Sequence, residues 1–156
     1  MRLRPAIPDD AEALAGVYER SVAALGLRDY TPEQVAAWIG QGARAGRFRA
    51  RLSDGRRCWV AVDEAGAVQA FIDLEADGHI DFLYAAPEAA GTGVAGRLLD
   101  VLEAAAVADG LTRLYVEASE AARRFFVKRG YAGVARRDFE IGGVAIHNYA
   151  MERRLP

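Results

Sequence analysis

Cysteine, lysine and histidine are almost missing from this chain. The single cysteine, Cys58, excludes an intrachain disulfide. Its place in the apolar run Cys58-Trp59-Val60-Ala61-Val62 marks a buried, inert thiol. Lys128 is the only lysine, so arginine carries nearly all the positive charge, and the formal net charge is −2. That balance argues against a nucleic-acid partner, which needs a strong basic field. No apolar run approaches the length of a membrane span. The charged, proline-bearing Met1 to Asp10 lacks the apolar core of a signal peptide, so a cytoplasmic location and no membrane partner are expected. No repeat, linker or low-complexity tract divides the 156 residues, and one domain over 1–156 is expected. The apolar share of 52% and a mean hydropathy near zero describe a folded globular chain.

What the chain does have centres on residues 79–110, HIDFLYAAPEAAGTGVAGRLLDVLEAAAVADG. Ile80, Phe82 and Tyr84 alternate with Asp81 and Leu83, the period of a strand. Pro87 ends the ladder because it has no N–H to donate. Gly91-Thr92-Gly93-Val94-Ala95-Gly96 then runs into Leu98, Leu99, Leu102, Ala105 and Ala106, spaced as the stripe of a helix on a sheet. Such a turn leaves the first helical N–H groups unpaired at the positive end of the helix dipole, an anion site suited to phosphate or pyrophosphate. Glycine also serves where chains only approach closely, so a purely structural turn stays open.

Two phosphate ligands fit these letters. Gly91-x-Gly93-x-x-Gly96 is literally the dinucleotide fingerprint, with Glu117 about twenty residues on, as an NAD-type oxidoreductase would have it. Ala85 to Ala90 separate strand from glycines, however, and too few strand-helix units follow to build that fold.

The stretch more closely resembles the acetyl-coenzyme A loop of the GNAT superfamily of N-acetyltransferases: strand, hydrophobic-x-Pro step, Arg/Gln-x-x-Gly-x-Gly/Ala, then a helix opening on paired leucines. Aligned on Pro87, the chain reads Ala90-Gly91-Thr92-Gly93-Val94-Ala95, then Gly96-Arg97-Leu98-Leu99, with Ala90 departing from Arg or Gln. A second stretch, Ser119-x-x-Ala122-x-x-Phe125-Phe126-x-x-x-Gly130-Tyr131, is similar to the family's Asn/Ser-x-x-Ala-x-x-Phe-Tyr-x-x-x-Gly-Phe. Thr31-Pro32-Glu33-Gln34 after Tyr30, and Asn148-x-x-Met151, resemble features of bacterial members.

The resemblance implies an α+β (mixed α/β) fold, with a central mixed, mostly antiparallel twisted sheet of about six to seven strands flanked by about four helices. It implies acetyl-CoA as acyl-donor cosubstrate and transfer to a primary amine of a small molecule or peptide, by direct attack in a ternary complex. Cofactor contacts are then expected from Leu83, Tyr84 and Ala85, from Gly91, Thr92, Gly93, Val94, Ala95 and Gly96, and from Ser119, Ala122 and Phe126. No metal is expected, and a homodimer is compatible with the family. The paired first helices would roof the acceptor side, making Tyr18, Tyr30 and Trp38 candidates for pocket or plain core.

Acetyl transfer needs an amine free of its proton, which for a pKa near ~10 costs about 4 kcal/mol at pH 7. A carboxylate or histidine removes it. The candidates are Asp73, Asp81, Glu117, His79 and His147; Asp81 inside the central strand stands first and Glu117 second. A bulge in that strand would present a backbone N–H near Leu83 or Tyr84 to the developing oxyanion. Where the family's tyrosine acid falls, this chain has Phe126. Tyr149, then Tyr131 or Ser119, could protonate the leaving thiolate, although a thiol of pKa ~8.5 can leave unprotonated. The missing hydroxyl keeps a third reading open, a non-catalytic acyl-CoA sensor.

The rest reads as a strand at Met1–Pro5, a helix from an N-cap cluster at Pro8-Asp9-Asp10 to about Leu25, and a helix from Thr31 that frays over residues 42–46. Strands Arg57–Asp63 and Val68–Glu75 follow, with hairpin turns at Glu64-Ala65-Gly66 and Asp77-Gly78. A strand Thr112–Glu117, a helix Ala121–Arg129 and a hairpin around Gly142-Gly143 complete the chain.

Overall fold

Two hairpin-linked runs of β-branched and aromatic residues start the architecture. In the computed structural model, which describes residues 1–42 and 45–156, β1 (Arg2–Pro5), β2 (Arg57–Val62), β3 (Val68–Leu74) and β5 (Leu83–Ala85) form one antiparallel sheet in that order. A second sheet has the order β4 (His79–Ile80), β6 (Arg113–Ala118), β8 (Val144–Arg154), β7 (Ala132–Ile141). Among the described residues, only β4 and β6 pair in parallel. This mostly antiparallel arrangement excludes the doubly wound parallel sheet of the dinucleotide reading.

Period-two alternation sorts side chains onto two cores. Trp59, Ala61, Ala70 and Ile72 pack with Leu98, Leu99 and Leu102 of α4 (Val94–Ala108). Val60, Val62 and Phe71 pack with Leu14, Val17 and Tyr18 of α1 (Ala11–Leu25) and Phe48 of α3 (Ala45–Leu52). The capping box at the start of α2 (Pro32–Gly42) forms as its sequence predicts: Thr31 N–H donates to Gln34 Oε1 at 2.9 Å and Gln34 N–H to Thr31 Oγ1 at 3.2 Å. Gln34 Nε2 also donates to the Ala145 carbonyl, tying α2 to the β7–β8 hairpin.

Three elements differ from the sequence expectation. Ala43 and Arg44, in the middle of the expected fray, lie outside the described residues, and α3 follows them as an additional helix. Its one buried anchor, Phe48, sits among three arginines, too faint a stripe to announce a helix. Among the described residues, eight strands replace six or seven because the central strand divides into β4 and β5. Asp10 does not cap α1; its carboxylate accepts from Ile7 N–H and from both terminal nitrogens of Arg4.

The hairpin turn into β4 needs glycine. Gly78 has φ +100°, and a Cβ there would lie 2.3 Å from the Arg113 carbonyl oxygen.

Candidate active site

The site is built on the break between β4 and β5. At Asp81 and Phe82 the ladder to β3 is completed by a side chain: Asp73 Oδ1 accepts from Asp81 N–H at 3.2 Å and Phe82 N–H at 2.8 Å, while Asp73 N–H donates to the Phe82 carbonyl. Asp73 is 3% exposed, and burial pushes its carboxyl above the ordinary carboxylate range. Arg51 and Arg56 answer that buried carboxylate at 2.8 and 3.2 Å. Arg51 also stacks over the Phe82 ring, 3.8 Å from its centroid.

Beyond the break the strands separate. β4 stays beside β6 at His79↔Tyr115 and Ile80↔Val116, after which β5 follows β3 instead. The two arms of this V line a cleft of about 430 Å³, with Phe82, Leu83 and Tyr84 on one side and Val116, Glu117, Ala118 and Ser119 on the other. Asp73 N–H donating to the Phe82 carbonyl and Ala86 N–H to the Gln69 carbonyl fix the antiparallel alternation. Tyr84 N–H therefore belongs to the ladder with Phe71, and Leu83 N–H points away from β3 into the opening. Of the two amides expected to face an oxyanion, the geometry selects Leu83 and removes Tyr84.

Asp81 lines the cleft but is not a free carboxylate. Its Oδ2 lies 2.6 Å from Arg51 and 3.1 Å from Arg56. Burial acts to raise its pKa, but the two guanidiniums more than offset this and hold the carboxyl below its ordinary value. Two arginines on Asp81, against one histidine on Glu117, make Asp81 the more tightly held of the two candidate bases. Glu117, on the opposite arm, contacts no arginine among the described residues. Its Oε2 lies 3.0 Å from His79 Nε2, and His79 Nδ1 lies 2.6 Å from Glu75 Oε1. The His79 ring stacks on Tyr115 at 4.8 Å. Burial pulls His79 down, but hydrogen bonds to Glu117 and Glu75 outweigh it and push the imidazole up to about 9, so it is protonated at neutral pH. Ligand atoms of Glu75, His79 and Asp81 converge within 4.8 Å, each already engaged in these ion pairs.

Tyr149 does not line the cleft. Its hydroxyl donates to Glu120 Oε1 at 2.7 Å, and Arg123 covers its ring, so it is not placed to protonate a sulfur there. The same Glu120 oxygen meets His147 Nε2 at 2.7 Å, and His147 does reach the cleft. Tyr131 is buried against Phe126, its hydroxyl donating to Glu103. Ser119 caps α5 (Glu120–Lys128) by accepting from Ala122 N–H at 3.3 Å, which leaves its own O–H to donate into the cleft it lines. Ala122 and the fully buried Phe126 complete that wall. Tyr18, Tyr30 and Trp38 are both core and cleft wall: Tyr18 donates to the Trp38 carbonyl at 2.7 Å and Tyr30 to the His147 carbonyl at 3.0 Å.

The glycine turn keeps its amides. Thr92 N–H donates to the Ala89 carbonyl, whereas the N–H groups of Gly91, Gly93, Val94, Ala95 and Gly96 have no acceptor among the described residues. Gly91 and Gly93 take φ +76° and +82°, and open space surrounds the Cβ position of each. Among the described residues, no side chain plugs the space beside Gly91 and Gly93. A Cβ on Gly96 would lie 3.1 Å from Arg129 Nη1, so a guanidinium held by Asp100 and Glu103 stands at the rim. Free amides at a helix start, beside a guanidinium, are the groups that a diphosphate needs. Ala85, the last residue of β5, runs toward this turn through Pro87–Ala89.

Arg51, Arg56, Glu75 and Arg129 are not legible as site residues in the sequence. The run Arg47 to Arg57, with five arginines, reads only as a solvated charged stretch.

A family model described as an acetyltransferase (GNAT) domain matches residues 26–153. The uncharacterized N-acetyltransferase YafP of Escherichia coli is 29% identical over 97% of this chain and 94% of its own length. Among solved structures, a GCN5-related N-acetyltransferase of Rhodopseudomonas palustris, also labelled "Aminotransferase, Class-II", superposes with a TM-score of 0.91 at 37% identity, covering 99% of this chain and 95% of that one. The PaiA N-acetyltransferase of Thermoplasma acidophilum, solved with coenzyme A, shares the fold at a TM-score of 0.80 and 18% identity, covering 99% and 98%.

Proposed function

Because the chain belongs to the GNAT family of acetyltransferases, which take acetyl-CoA as acyl donor, we propose that it acetylates a primary amine of a small molecule or peptide by direct attack in a ternary complex, with Glu117 as the general base. The observation that carries this reading is the V between β5 and β6. One arm offers the Leu83 N–H, turned away from β3, and the other the Glu117 carboxylate.

Bound at the glycine turn, acetyl-CoA supplies an activated acetyl group. The amides of Gly91 and Gly93 to Gly96 hold its diphosphate, and Arg129 adds the cation that Ala90 does not. Leu83 N–H donates to the negative charge that grows on the carbonyl oxygen during attack, worth about 3 kcal/mol for one such donor. Glu117 accepts the amine proton, directly or through one water. His79 fixes the orientation of Glu117 and connects it to the half-exposed Glu75, a line of exchangeable groups from cleft to solvent. With Phe126 in place of a tyrosine, sulfur leaves as the thiolate, assisted at most by Ser119 O–H.

The test is thioester turnover over a panel of primary amines with wild type, Glu117→Gln and Asp81→Asn. Glu117→Gln is expected to lower kcat by about 10² to 10⁴ while acetyl-CoA still binds. Acetyl-CoA binding with no turnover on any amine would favour the sensor reading instead.

A further inference from the structure

Resting on the acetyl-transfer reading, the charges of the cleft specify its acceptor. The two acidic side chains on the cleft wall are already matched, Asp81 by Arg51 and Arg56 and Glu117 by His79. Two further arginines line the same cleft from its acceptor side. Arg47, on α3, donates to the Gln41 carbonyl. Arg137, on β7, donates from Nη1 to Asn148 Oδ1 at 3.0 Å. Both partners are neutral, and neither arginine has a carboxylate within ion-pair distance among the described residues.

The register of the terminal hairpin makes the placement of Arg137 a property of the fold. Arg137 faces Asn148 and Phe139 faces Ile146 across β7 and β8, and all four line the cleft from one face of the hairpin. The cleft as folded therefore carries two guanidiniums with no anion of their own. An acceptor bearing only ammonium groups is repelled by them. One that also bears a carboxylate supplies the missing charge, and the planar fork of arginine matches a carboxylate in two hydrogen bonds. Aromatic walls at Tyr30 and Trp38 suit an apolar body between the two ends.

We propose that the acceptor is a small amino-carboxylate, an amino acid or close analogue, whose carboxylate is held by Arg137 and Arg47 while its amine meets Glu117.

The experiment compares matched pairs that differ only in the carboxylate: phenylalanine with 2-phenylethylamine, tryptophan with tryptamine, methionine with 3-(methylthio)propylamine. Wild type is expected to prefer the carboxylated member in kcat/KM by about 30-fold or more, the worth of one charge-assisted contact. Arg137→Gln should shrink that preference to within a few fold, and Arg137→Lys should restore part of it. Equal or better use of the decarboxylated amines, or equal loss on both members in Arg137→Gln, overturns the proposal and leaves acetyl transfer standing. Binding of the N-acetylated products, followed by intrinsic tryptophan fluorescence, gives a readout without turnover. Carboxylate-dependent binding with no transfer would support the anion site and reject the transferase reading, and no carboxylate-dependent binding would overturn the anion site.

Discussion

His79 Nε2 lies 3.0 Å from Glu117 Oε2, and this contact closes the narrow end of the V where β5 parts from β6. An imidazolium there aims Glu117 into the cleft. His79→Gln, which keeps a neutral donor, is therefore expected to lower kcat by about tenfold. It should change the KM for acetyl-CoA little, since the glycine turn is elsewhere. Steady-state kinetics at pH 7.5 with the best amine of the panel checks this.

The same histidine makes stability depend on pH. Its folded pKa of about 9 stands above the ordinary 6.5, so its contribution is complete below pH 6.5 and is lost as pH rises through 9. Urea unfolding of wild type at pH 6.5 and pH 9.5 should show a loss of order 2 kcal/mol that His79→Gln lacks. Equal losses in both proteins would contradict the assignment.

Asp73 carries the break in the strand. Its carboxylate is buried, accepts from two backbone amides and meets two arginines. Asp73→Asn leaves Arg51 and Arg56 with one carboxylate fewer in a buried setting, and a loss of about 3 kcal/mol in unfolding free energy is expected. Asp81→Asn should cost less, because Asp81 is more exposed and binds no backbone amide.

At the glycine turn, Gly93→Ala places a Cβ on a residue at φ +82°, which costs about 1 to 2 kcal/mol in the folded state. Open space around that Cβ means the cost is backbone strain, not collision. Relief of the strain would turn the amides away, so the Kd for acetyl-CoA is expected to rise by roughly tenfold. Titration calorimetry reads this directly.

Local features were the legible part of the sequence. The capping box at Thr31, the turn at Gly78, the glycines before α4 and the alternation in β2 and β3 are each set by neighbours in the chain, and each stands where the letters put it. Charge pairing across the fold was hidden. Asp81 reads as the free carboxylate of a central strand because nothing near it in sequence shows that Arg51 and Arg56, 25 to 30 residues earlier, close over it. Tyr149 reads as a hydroxyl for the site because strand alternation gives its side of the sheet but not Glu120, which captures it. α3 stayed invisible because its packing rests on one phenylalanine and its helical character on tertiary contacts.

Backbone amides carry the proposed cofactor site, and amide NMR observes them residue by residue. Titrating ¹⁵N-labelled protein with acetyl-CoA is predicted to give the largest shift changes at Gly91, Gly93 to Gly96 and Leu83, saturating together with one Kd. Saturable binding that leaves those six amides unmoved while others shift, or no saturation at hundreds of micromolar ligand, would contradict it.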